Sequence, residues 1–244
     1  MAVQRKRSLL ERSLRALNIL ILILIMLLCL YPFLYVLFAS LSNPTRFTMH
    51  RGLLLHPLGF QLDSYQRVFE NPSILSGFKN TLIYVVFGTA LNIIMTSMGA
   101  YLLSLRTLKL RRILSRFIVF TMFFSGGLIP TFLLVRDLGL LNSRLALILP
   151  TAISTYNMMI MRTSFESIPD SLVESAKIDG ARDMTVLFRI ILPLSLPIIA
   201  TMVLFYGVAH WNSWFNAMVY LRDRELYPVQ LILREILITN NTVS

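Results

Sequence analysis

The fold is decided by a short polar stretch, Glu174-Ser175-Ala176-Lys177-Ile178-Asp179-Gly180-Ala181. It lies in the polar segment Glu166 to Arg189, which separates two uncharged runs, Leu145 to Met161 and Ile190 to Leu221. Runs of this length and polarity are typical of membrane spans, whereas the segment between them is polar enough to face water. The sequence therefore predicts a water-facing connection between two spans, with surface available for another protein.

Two short helices joined at a glycine are predicted within this connection. Ser171 and Glu174 have the spacing of a capping box, in which the serine caps the helix and the glutamate returns to its backbone N–H. Gly180 then ends the helix, because glycine adopts a positive φ at the position after the cap at little cost. A second helix is predicted to start near Ala181, with Asp183 in its first turn, where the helix dipole favours a carboxylate.

The composition indicates an all-α integral membrane protein, because 56% of the 244 residues are apolar and only 14% are charged. A spanning helix needs about 20 mostly apolar residues, so each of five uncharged runs can hold one span. The predicted spans are 18–41, 80–105, 113–135, 145–165 and 190–215. The first apolar run is too long for the core of a cleaved signal peptide, so it is predicted to remain as a helix.

The basic residues predict the orientation, because short cytoplasmic segments accumulate Lys and Arg. Two dense basic groups stand on the same side of the predicted membrane: Arg5, Lys6, Arg7, Arg12 and Arg15, and then Arg106, Lys109, Arg111, Arg112 and Arg116. The N-terminus and the segment 166–189 are therefore predicted to be cytoplasmic, and the segments 42–79, 136–144 and 216–244 to be outside. Because the positive charges are scattered among apolar runs, contact with anionic lipid headgroups explains them better than nucleic-acid binding.

A longer pattern surrounds the opening stretch and resembles the EAA loop of permease subunits of binding-protein-dependent ABC importers, in the carbohydrate (maltose-type) branch. The residues in the spacing of that family are Glu174, Ala176, Asp179, Gly180, Ala181, Phe188, Ile190, Leu192, Pro193 and Pro197. Ser175 replaces the usual alanine with another small residue. An isolated S-x-x-E or D-G pair would indicate only a solvated amphipathic connection, but the combination is far more specific.

The resemblance implies a type I ABC importer permease fold, with residues 1–244 forming one transmembrane domain. The family has six core helices, so this chain, with five predicted spans, is expected to be truncated before a sixth. The implied docking residues for a cytoplasmic ATPase are Glu174, Ser175, Ala176, Asp179, Gly180, Ala181 and Pro193. The resemblance also implies a bacterial inner-membrane location, a second homologous permease subunit as heterodimer partner, two ATPase subunits, an extracytoplasmic solute-binding protein and a sugar substrate.

No catalytic role is predicted for this chain. It has no G-x-x-x-x-G-K-[ST] phosphate loop and no evident catalytic cluster, so ATP and Mg²⁺ are expected on the partner ATPase and no cofactor on this chain. His50 and His56 lack a nearby acidic or cysteine cluster, so no metal site is predicted. A transporter driven by an ion gradient is one alternative, although it would require ionisable residues within the spans. A membrane scaffold that recruits a cytoplasmic protein without transport is the other.

Polar residues within the spans are candidates for the translocation path. Gly88, Asn92 and Thr96 recur every four residues, a pattern more typical of a helix-packing seam than of a pathway lining. The path candidates are Asn92, Tyr156, Asn157, Asn212 and Asn216. In maltose-type relatives the outer segment after the fifth span reaches the solute-binding protein, which implies contacts from Tyr227, Pro228 and Gln230.

Overall fold

The computed structural model describes residues 9–124 and 126–242. It divides into two compact units, Met1–Asn71 and Pro72–Ser244. The basic residues predicted at positions 5–7 and the last two residues of the predicted outer segment lie outside the described residues. No strand forms in the described residues, apart from one isolated bridge between Ser42 and Phe60, so the predicted all-α class is confirmed.

The first unit consists of one long helix and two short ones, α1 (Leu9–Ser40), α2 (Pro44–Met49) and α3 (Asp63–Glu70). No described side chain of α1 is buried within the unit. The start of α2 is capped by Asn43, whose side-chain oxygen accepts from the backbone N–H groups of Thr45 at 3.0 Å and Arg46 at 3.3 Å. The third helix forms within the predicted outer segment and buries no residue.

The second unit is organised around α4 (Pro72–Ser104), an uninterrupted helix of 33 residues. Its buried residues recur every three or four positions, as expected for one helix face that packs against neighbours. Small residues allow close packing there, because a Cβ added to Gly88 would lie 2.4 Å from Nε2 of His210 and one added to Gly99 would lie 2.5 Å from Sδ of Met158. The Gly88, Asn92 and Thr96 stripe is therefore a packing seam, as its pattern favours.

Helical pieces, several of them short, make up the rest of the second unit. They are α5 (Arg111–Thr121), α6 (Leu128–Asp137), α7 (Leu145–Ile148), a 3-10 turn (Leu149–Thr151), α8 (Thr155–Glu166), α9 (Asp170–Ile178), α10 (Asp183–Val186), a π-helical turn (Leu187–Ile191), α11 (Leu192–Leu194), α12 (Leu196–Trp211), α13 (Trp214–Tyr220), a 3-10 turn (Arg224–Leu226) and α14 (Val229–Thr242). The helices α8, α12 and α14 pack against α4.

The later predicted spans are interrupted rather than continuous. Within 145–165 the chain passes through a 3-10 turn that contains Pro150, and Ser154 then caps a new helix by accepting from the Asn157 N–H at 3.4 Å. Proline removes a helix donor, and a capping serine starts a helix, so both breaks have local causes. Within 190–215 the helix axis bends by 89° at Ser195, between two prolines.

Two described helices, Ser13–Ser40 and Pro72–Ser104, are by themselves long and apolar enough to cross a membrane. The bent pair Asp183–Leu194 and Leu196–Trp211 makes a third if it forms one span. The count of five spans and the expected sixth helix therefore stay predictions.

The predicted outer segment 216–244 contains helix α14, which packs on the start of α4. Val229 and Ile232 of α14 are buried beside Ile74, and a Cβ added to Gly77 would lie 2.6 Å from Cδ1 of Ile232. This packing orders the segment after α13 against the Pro72 end of α4.

Candidate functional site

Helix α9 carries the residues predicted to dock an ATPase, and it begins differently from the predicted capping box. Pro169 occupies the cap position, with φ −58° and ψ 129°, and the structure shows no side-chain capping bond there. The helix starts directly after the proline, and the missing N–H of Pro169 costs no hydrogen bond within the helix. Ser171 therefore lies inside the first turn, and the predicted Ser171 and Glu174 capping box is wrong.

The end of α9 has the predicted glycine geometry. Gly180 has φ +82°, and its N–H donates to Lys177 O at 3.0 Å, while the Ala181 N–H donates to Ala176 O at 2.9 Å. This pair of bonds is a Schellman motif, which satisfies the last carbonyls of the helix and turns the chain sharply. Asp183 lies in the first turn of α10, as predicted. Gly180 thus fixes the angle between α9 and the chain that leads to α12.

One face of α9 packs on the second unit, and the other is exposed. Val173 and Ala176 contact the buried cluster that includes Phe165 and Leu187. The predicted docking residues Glu174, Ser175, Asp179 and Gly180 are exposed, whereas Ala176 and Ala181 are half-buried. Pro193 lies apart from α9, in the short helix α11.

Sequence reasoning missed the most exposed apolar side chain of this region. Ile178, in the last turn of α9, is 86% exposed. The residue type alone does not indicate that this isoleucine is exposed. Only the packing of Val173 and Ala176 on the other face shows that it points away from the unit. It therefore adds an exposed apolar side chain to the face predicted to dock an ATPase.

Exposed ion pairs connect α9 with its neighbours. Arg106 and Asp170 approach to 2.9 Å, and Lys177 and Asp183 to 3.1 Å. The Tyr101 hydroxyl also donates to Asp183 Oδ1 at 3.4 Å, next to a cavity of about 220 Å³ between α4, α8 and α9. Each exposed pair contributes about 1 kcal/mol or less to stability. The main effect of these pairs is therefore to fix the orientation of α9.

A half-buried ionic cluster joins α5 to the end of α8, four residues before α9. The Glu166 carboxylate accepts from Arg111 and from Arg162 Nε, the latter at 2.7 Å, and Arg162 Nη1 donates to Ser115 Oγ at 2.9 Å. The three charged side chains are only 20–27% exposed. The i, i+4 spacing of Arg162 and Glu166 could have predicted one of the pairs. Nothing in the sequence indicates Arg111, which is 55 positions from Glu166.

Four of the five predicted path residues line one cavity of about 500 Å³ in the second unit. Asn92, Asn157, Asn212 and Asn216 belong to its wall, together with Tyr206, His210 and Phe215. Among the described residues that line it, none is Asp, Glu, Lys or Arg. Tyr156 is exposed outside this lining. The cavity therefore offers amides, hydroxyls and aromatic rings without a formal carboxylate, ammonium or guanidinium charge.

The Asn92 side chain acts as a cross-link within the cavity wall. It is fully buried, and its Nδ2 donates to Thr151 O at 2.5 Å. Its Oδ1 lies 2.7 Å from His210 Nε2, which must be the donor because an amide oxygen only accepts. Beside it, the hydroxyls of Thr96 and Tyr206 are 2.7 Å apart. These neutral bonds join α4 to α12 and to the turn before α8.

The residues predicted to contact a solute-binding protein lie near the Pro72 end of α4. Pro228 is buried at the start of α14, whereas Tyr227 and Gln230 are half-buried. Tyr227 O accepts from Asn80 Nδ2 at 3.2 Å, so this turn is bound to α4. Their contact with a partner stays a prediction.

Among the described residues, no three His, Cys, Asp or Glu side chains come together as a candidate metal site. His50 and His56 lie near backbone carbonyls, those of Leu53 at 3.4 Å and Pro57 at 3.2 Å.

Comparisons with known proteins agree with this architecture. The model of the family "binding-protein-dependent transport system inner membrane component" matches residues 97–215. The polygalacturonan/rhamnogalacturonan transport system permease protein YtcP of Bacillus subtilis is 44% identical over 220 residues, covering 90% of this chain and 77% of the relative. Protein LplC of Bacillus subtilis is 41% identical over 213 residues, covering 87% of this chain and 72% of that one.

A solved structure is also similar over nearly the whole chain. It is that of a bacterial ABC transporter involved in the import of the acidic polysaccharide alginate, with a TM-score of 0.91 and 36% sequence identity. The match covers 95% of this chain and 82% of that one.

A helical membrane chain with this exposed loop helix and these relatives is a permease subunit of an ATP-driven importer. The chain belongs to the binding-protein-dependent transport system inner membrane component family. It is a multi-pass protein of the cell membrane, and ATP hydrolysis takes place on a separate subunit. Its general partners are an ATPase and a solute-binding protein, so the predicted resemblance is confirmed and the two alternative functions are not supported.

Proposed function

We propose that this permease imports acidic oligosaccharides built from uronic acids. The observation that carries the proposal is the pairing of 44% identity to a polygalacturonan/rhamnogalacturonan permease with 36% identity, at a TM-score of 0.91, to an importer of alginate. Relatives named for arabinooligosaccharides or for melibiose, raffinose and stachyose are 29% identical. Similarity thus favours the acidic class among oligosaccharides.

The chain would act as one half of a heterodimer with a second, homologous permease subunit. Two ATPase subunits would bind ATP and Mg²⁺ on the cytoplasmic side, and a solute-binding protein would deliver substrate from outside. No cofactor is assigned to this chain. The N-terminus would lie in the cytoplasm, because the densest basic groups in the sequence lie on its side of the predicted spans.

The exposed face of α9 would dock the ATPase. Glu174 would pair with a basic residue of that subunit, the small Ser175 would allow close approach, and Ile178 would enter an apolar part of its groove. The support is that α9 is held to the permease through Val173 and Ala176 on one face, while the other face is open. Because the Gly180 turn and the ion pairs bind α9 to its neighbours, movement of the ATPase would move α9 as a rigid lever.

The neutral cavity would form part of the translocation path in this proposal. Asn157, Asn212 and Asn216 can donate to and accept from sugar hydroxyls, and Phe215 can pack on a sugar ring. Asn92 would shape the wall, because both polar atoms of its side chain already have partners. Alternating access in transporters is largely rigid-body movement around such a site.

Uptake measurements test the substrate class. Cells that express the complete transporter should take up labelled trigalacturonate, and excess unlabelled trigalacturonate should compete more effectively than maltotriose. Preferential competition by maltotriose would replace the acidic class with a neutral one and leave the family assignment intact.

Charge reversal tests the docking face. Glu174→Lys should abolish ATPase stimulation by the solute-binding protein while the subunit still inserts into the membrane. Glu70→Lys is the matched control, because Glu70 is an exposed glutamate at the end of α3 in the predicted outer segment. Full stimulation in the Glu174→Lys transporter would remove the docking role of this residue.

A further inference from the structure

A second polar pocket lies at the Pro72 end of α4, separate from the neutral cavity. Its volume is about 450 Å³, within the usual range of small-molecule sites. Three segments of the second unit form it: the first turns of α4, the residue before α7, and the 3-10 turn before α14. Its polar side chains include Ser76, Lys79, Asn80, Arg144, Arg224 and Glu225.

Hydrogen bonds hold the walls of this pocket together. Asn80 is 2% exposed, and its Nδ2 donates to Glu225 O at 2.6 Å. Its Oδ1 accepts from Arg144 Nη2 at 3.1 Å, so the same amide orients the guanidinium group. The Tyr84 hydroxyl donates to Leu226 O at 2.7 Å. The pocket is therefore a built feature and not only a set of surface charges.

The charge of the pocket differs from that of the neutral cavity. Its lining includes three cationic side chains, Lys79, Arg144 and Arg224, and one carboxylate, that of Glu225. Arg224 also lies 3.3 Å from Glu235, but both side chains are exposed, at 62% and 40%, so this pair is weak and can exchange partners. The charges of the pocket can therefore favour an anionic ligand. The neutral cavity does not provide this physical basis for discrimination.

The position of the pocket fits an entry site. Asn80 and Asn92 stand on the same helix, twelve residues apart, which is about 18 Å at the helical rise of 1.5 Å per residue. The pocket is at the Pro72 end of α4, whereas α9 lies near the other end, where its Lys177 pairs with Asp183 of α10 and Asp183 accepts from Tyr101 of α4. If α9 is cytoplasmic, the pocket is on the side from which substrate arrives.

We infer that this basic pocket binds the carboxylates of a uronic-acid oligosaccharide as it passes from the solute-binding protein towards the neutral cavity. The inference rests on the proposed acidic substrate. Each uronic-acid unit carries one carboxylate, and a guanidinium group can bind a carboxylate through two parallel N–H donors. Lys79 supplies a mobile point charge beside the arginines.

The variant Lys79→Gln/Arg224→Gln tests the pocket while leaving the bond between Arg144 and Asn80 intact. In whole-cell uptake through the complete transporter, the concentration of trigalacturonate for half-maximal uptake should rise on the order of tenfold, because two charge-assisted contacts are lost. The maximal rate should stay within about twofold, since the contacts precede the conformational step. The fully methyl-esterified trimer, which has no carboxylate, should change less than about twofold.

The matched control is Arg222→Gln, an exposed arginine two residues before Arg224 that does not line the pocket. It should leave the uptake of both trigalacturonate and its methyl ester unchanged. In proteoliposomes, added salt should raise the half-saturating concentration of trigalacturonate for the wild type more steeply than for the double variant. This salt comparison tests whether the pocket binds the carboxylates even if the ester is a poor substrate.

Three outcomes would overturn the inference in distinguishable ways. Equal losses for the acid and its ester would show that the pocket contacts the solute-binding protein instead. An unchanged double variant, with a wild-type salt response, would show that the pocket does not bind substrate. A wild-type transporter that does not take up trigalacturonate would remove the proposed substrate class itself.

Discussion

The α9 end of the second unit and the interior around Asn92 are held together by different kinds of interaction. At the α9 end the links are ionic, with Glu166 between two arginines and Asp183 beside Lys177. In the interior they are neutral, from Asn92 to His210 and from Thr96 to Tyr206. A charge inside a bilayer is costly, whereas a neutral hydrogen bond satisfies both partners without a formal charge.

This difference indicates that the two regions have different roles. The ionic contacts lie where water reaches, and they can fix the direction of α9 while tolerating a partner's charges. The neutral contacts are buried, and they hold α4, α12 and the wall of the cavity in one arrangement. Variants of each region, with a control of the same chemistry elsewhere, measure how far this division holds.

The largest effect is expected from Gly180→Pro. Proline fixes φ near −65° and removes the N–H that bonds to Lys177 O, so it opposes both the +82° φ of this residue and its Schellman bond. We expect uptake to fall at least about tenfold, because α9, the proposed lever, loses its angle to the following chain. Uptake and ATPase stimulation in proteoliposomes measure the loss, and membrane insertion should be normal.

Gly139→Pro is the matched control for this variant. Gly139 has φ +67°, its N–H donates to Arg136 O at 2.9 Å, and the following N–H donates to Val135 O, so it ends α6 with the same motif. Its backbone strain should be similar, but it lies in a predicted outer loop. An equal loss of ATPase stimulation in both variants would contradict a specific role for the Gly180 turn.

The next largest effect is expected from Glu166→Gln. The glutamine keeps an acceptor but leaves two half-buried arginines without a counter-charge, at a cost of about 1–3 kcal/mol. The melting temperature of the purified complex should fall by several degrees. Coupling should weaken as well, since the cluster joins α5 to the chain that enters α9.

Asp137→Asn serves as the comparison for Glu166→Gln. Asp137 pairs with Arg136 at 2.9 Å, but both side chains are more than half exposed, so its removal should cost less than about 0.5 kcal/mol. If the two variants lower the melting temperature equally, partial burial does not strengthen the Glu166 cluster.

Local features of the α9 region could be predicted from the sequence. The positive φ of Gly180 and the position of Asp183 depend on a few neighbouring residues, and both were predicted correctly. The predicted capping box was wrong because Pro169 sets the helix start. The sequence alone does not decide between the proline and the S-x-x-E spacing as the start signal. The breaks near Pro150 and Ser154 have visible local causes, although the run was predicted as one span.

Contacts across the unit could not be predicted. The stripe through Asn92 indicated a packing seam, but its partner His210 is 118 positions away, and Arg111 is 55 positions from Glu166. A single sequence gives residue types and spacing along one helix, whereas these pairs depend on how separate helices pack. The basic pocket was missed for the same reason, since its charges come from three distant segments.

A smaller effect is expected from Gly88→Ala in the interior. The added Cβ would lie 2.4 Å from Nε2 and 2.5 Å from Cε1 of His210, so the ring must shift away from Asn92. Overpacking of this kind costs about 1–3 kcal/mol, against which alanine recovers up to about 1 kcal/mol of helix propensity. We expect a lower melting temperature and slower uptake.

Gly207→Ala is the control for the interior glycine. A Cβ at this position would meet nothing closer than Thr89 Oγ1 at 3.9 Å, which is ordinary contact. The variant should be neutral or slightly stabilised. If Gly88→Ala behaves in the same way, the close approach of α4 and α12 at His210 does not limit stability.

Thr96→Val should have the smallest effect, because it removes one neutral bond and keeps the side-chain shape. The Tyr206 hydroxyl loses its partner at 2.7 Å but still accepts from the Ser154 N–H at 3.4 Å, so the cost should be about 0.6 kcal/mol and at most about 1.7 kcal/mol. Thr201→Val is the control, since the exposed Thr201 bonds only to Pro197 O of its own helix and should cost almost nothing. A double-mutant cycle with Tyr206→Phe isolates the bond between the two helices. If that coupling exceeds the loss measured for Glu166→Gln, the neutral interior is the stronger of the two frameworks, and the α9 end must owe its rigidity to the packing of Val173 and Ala176 and not to its charges.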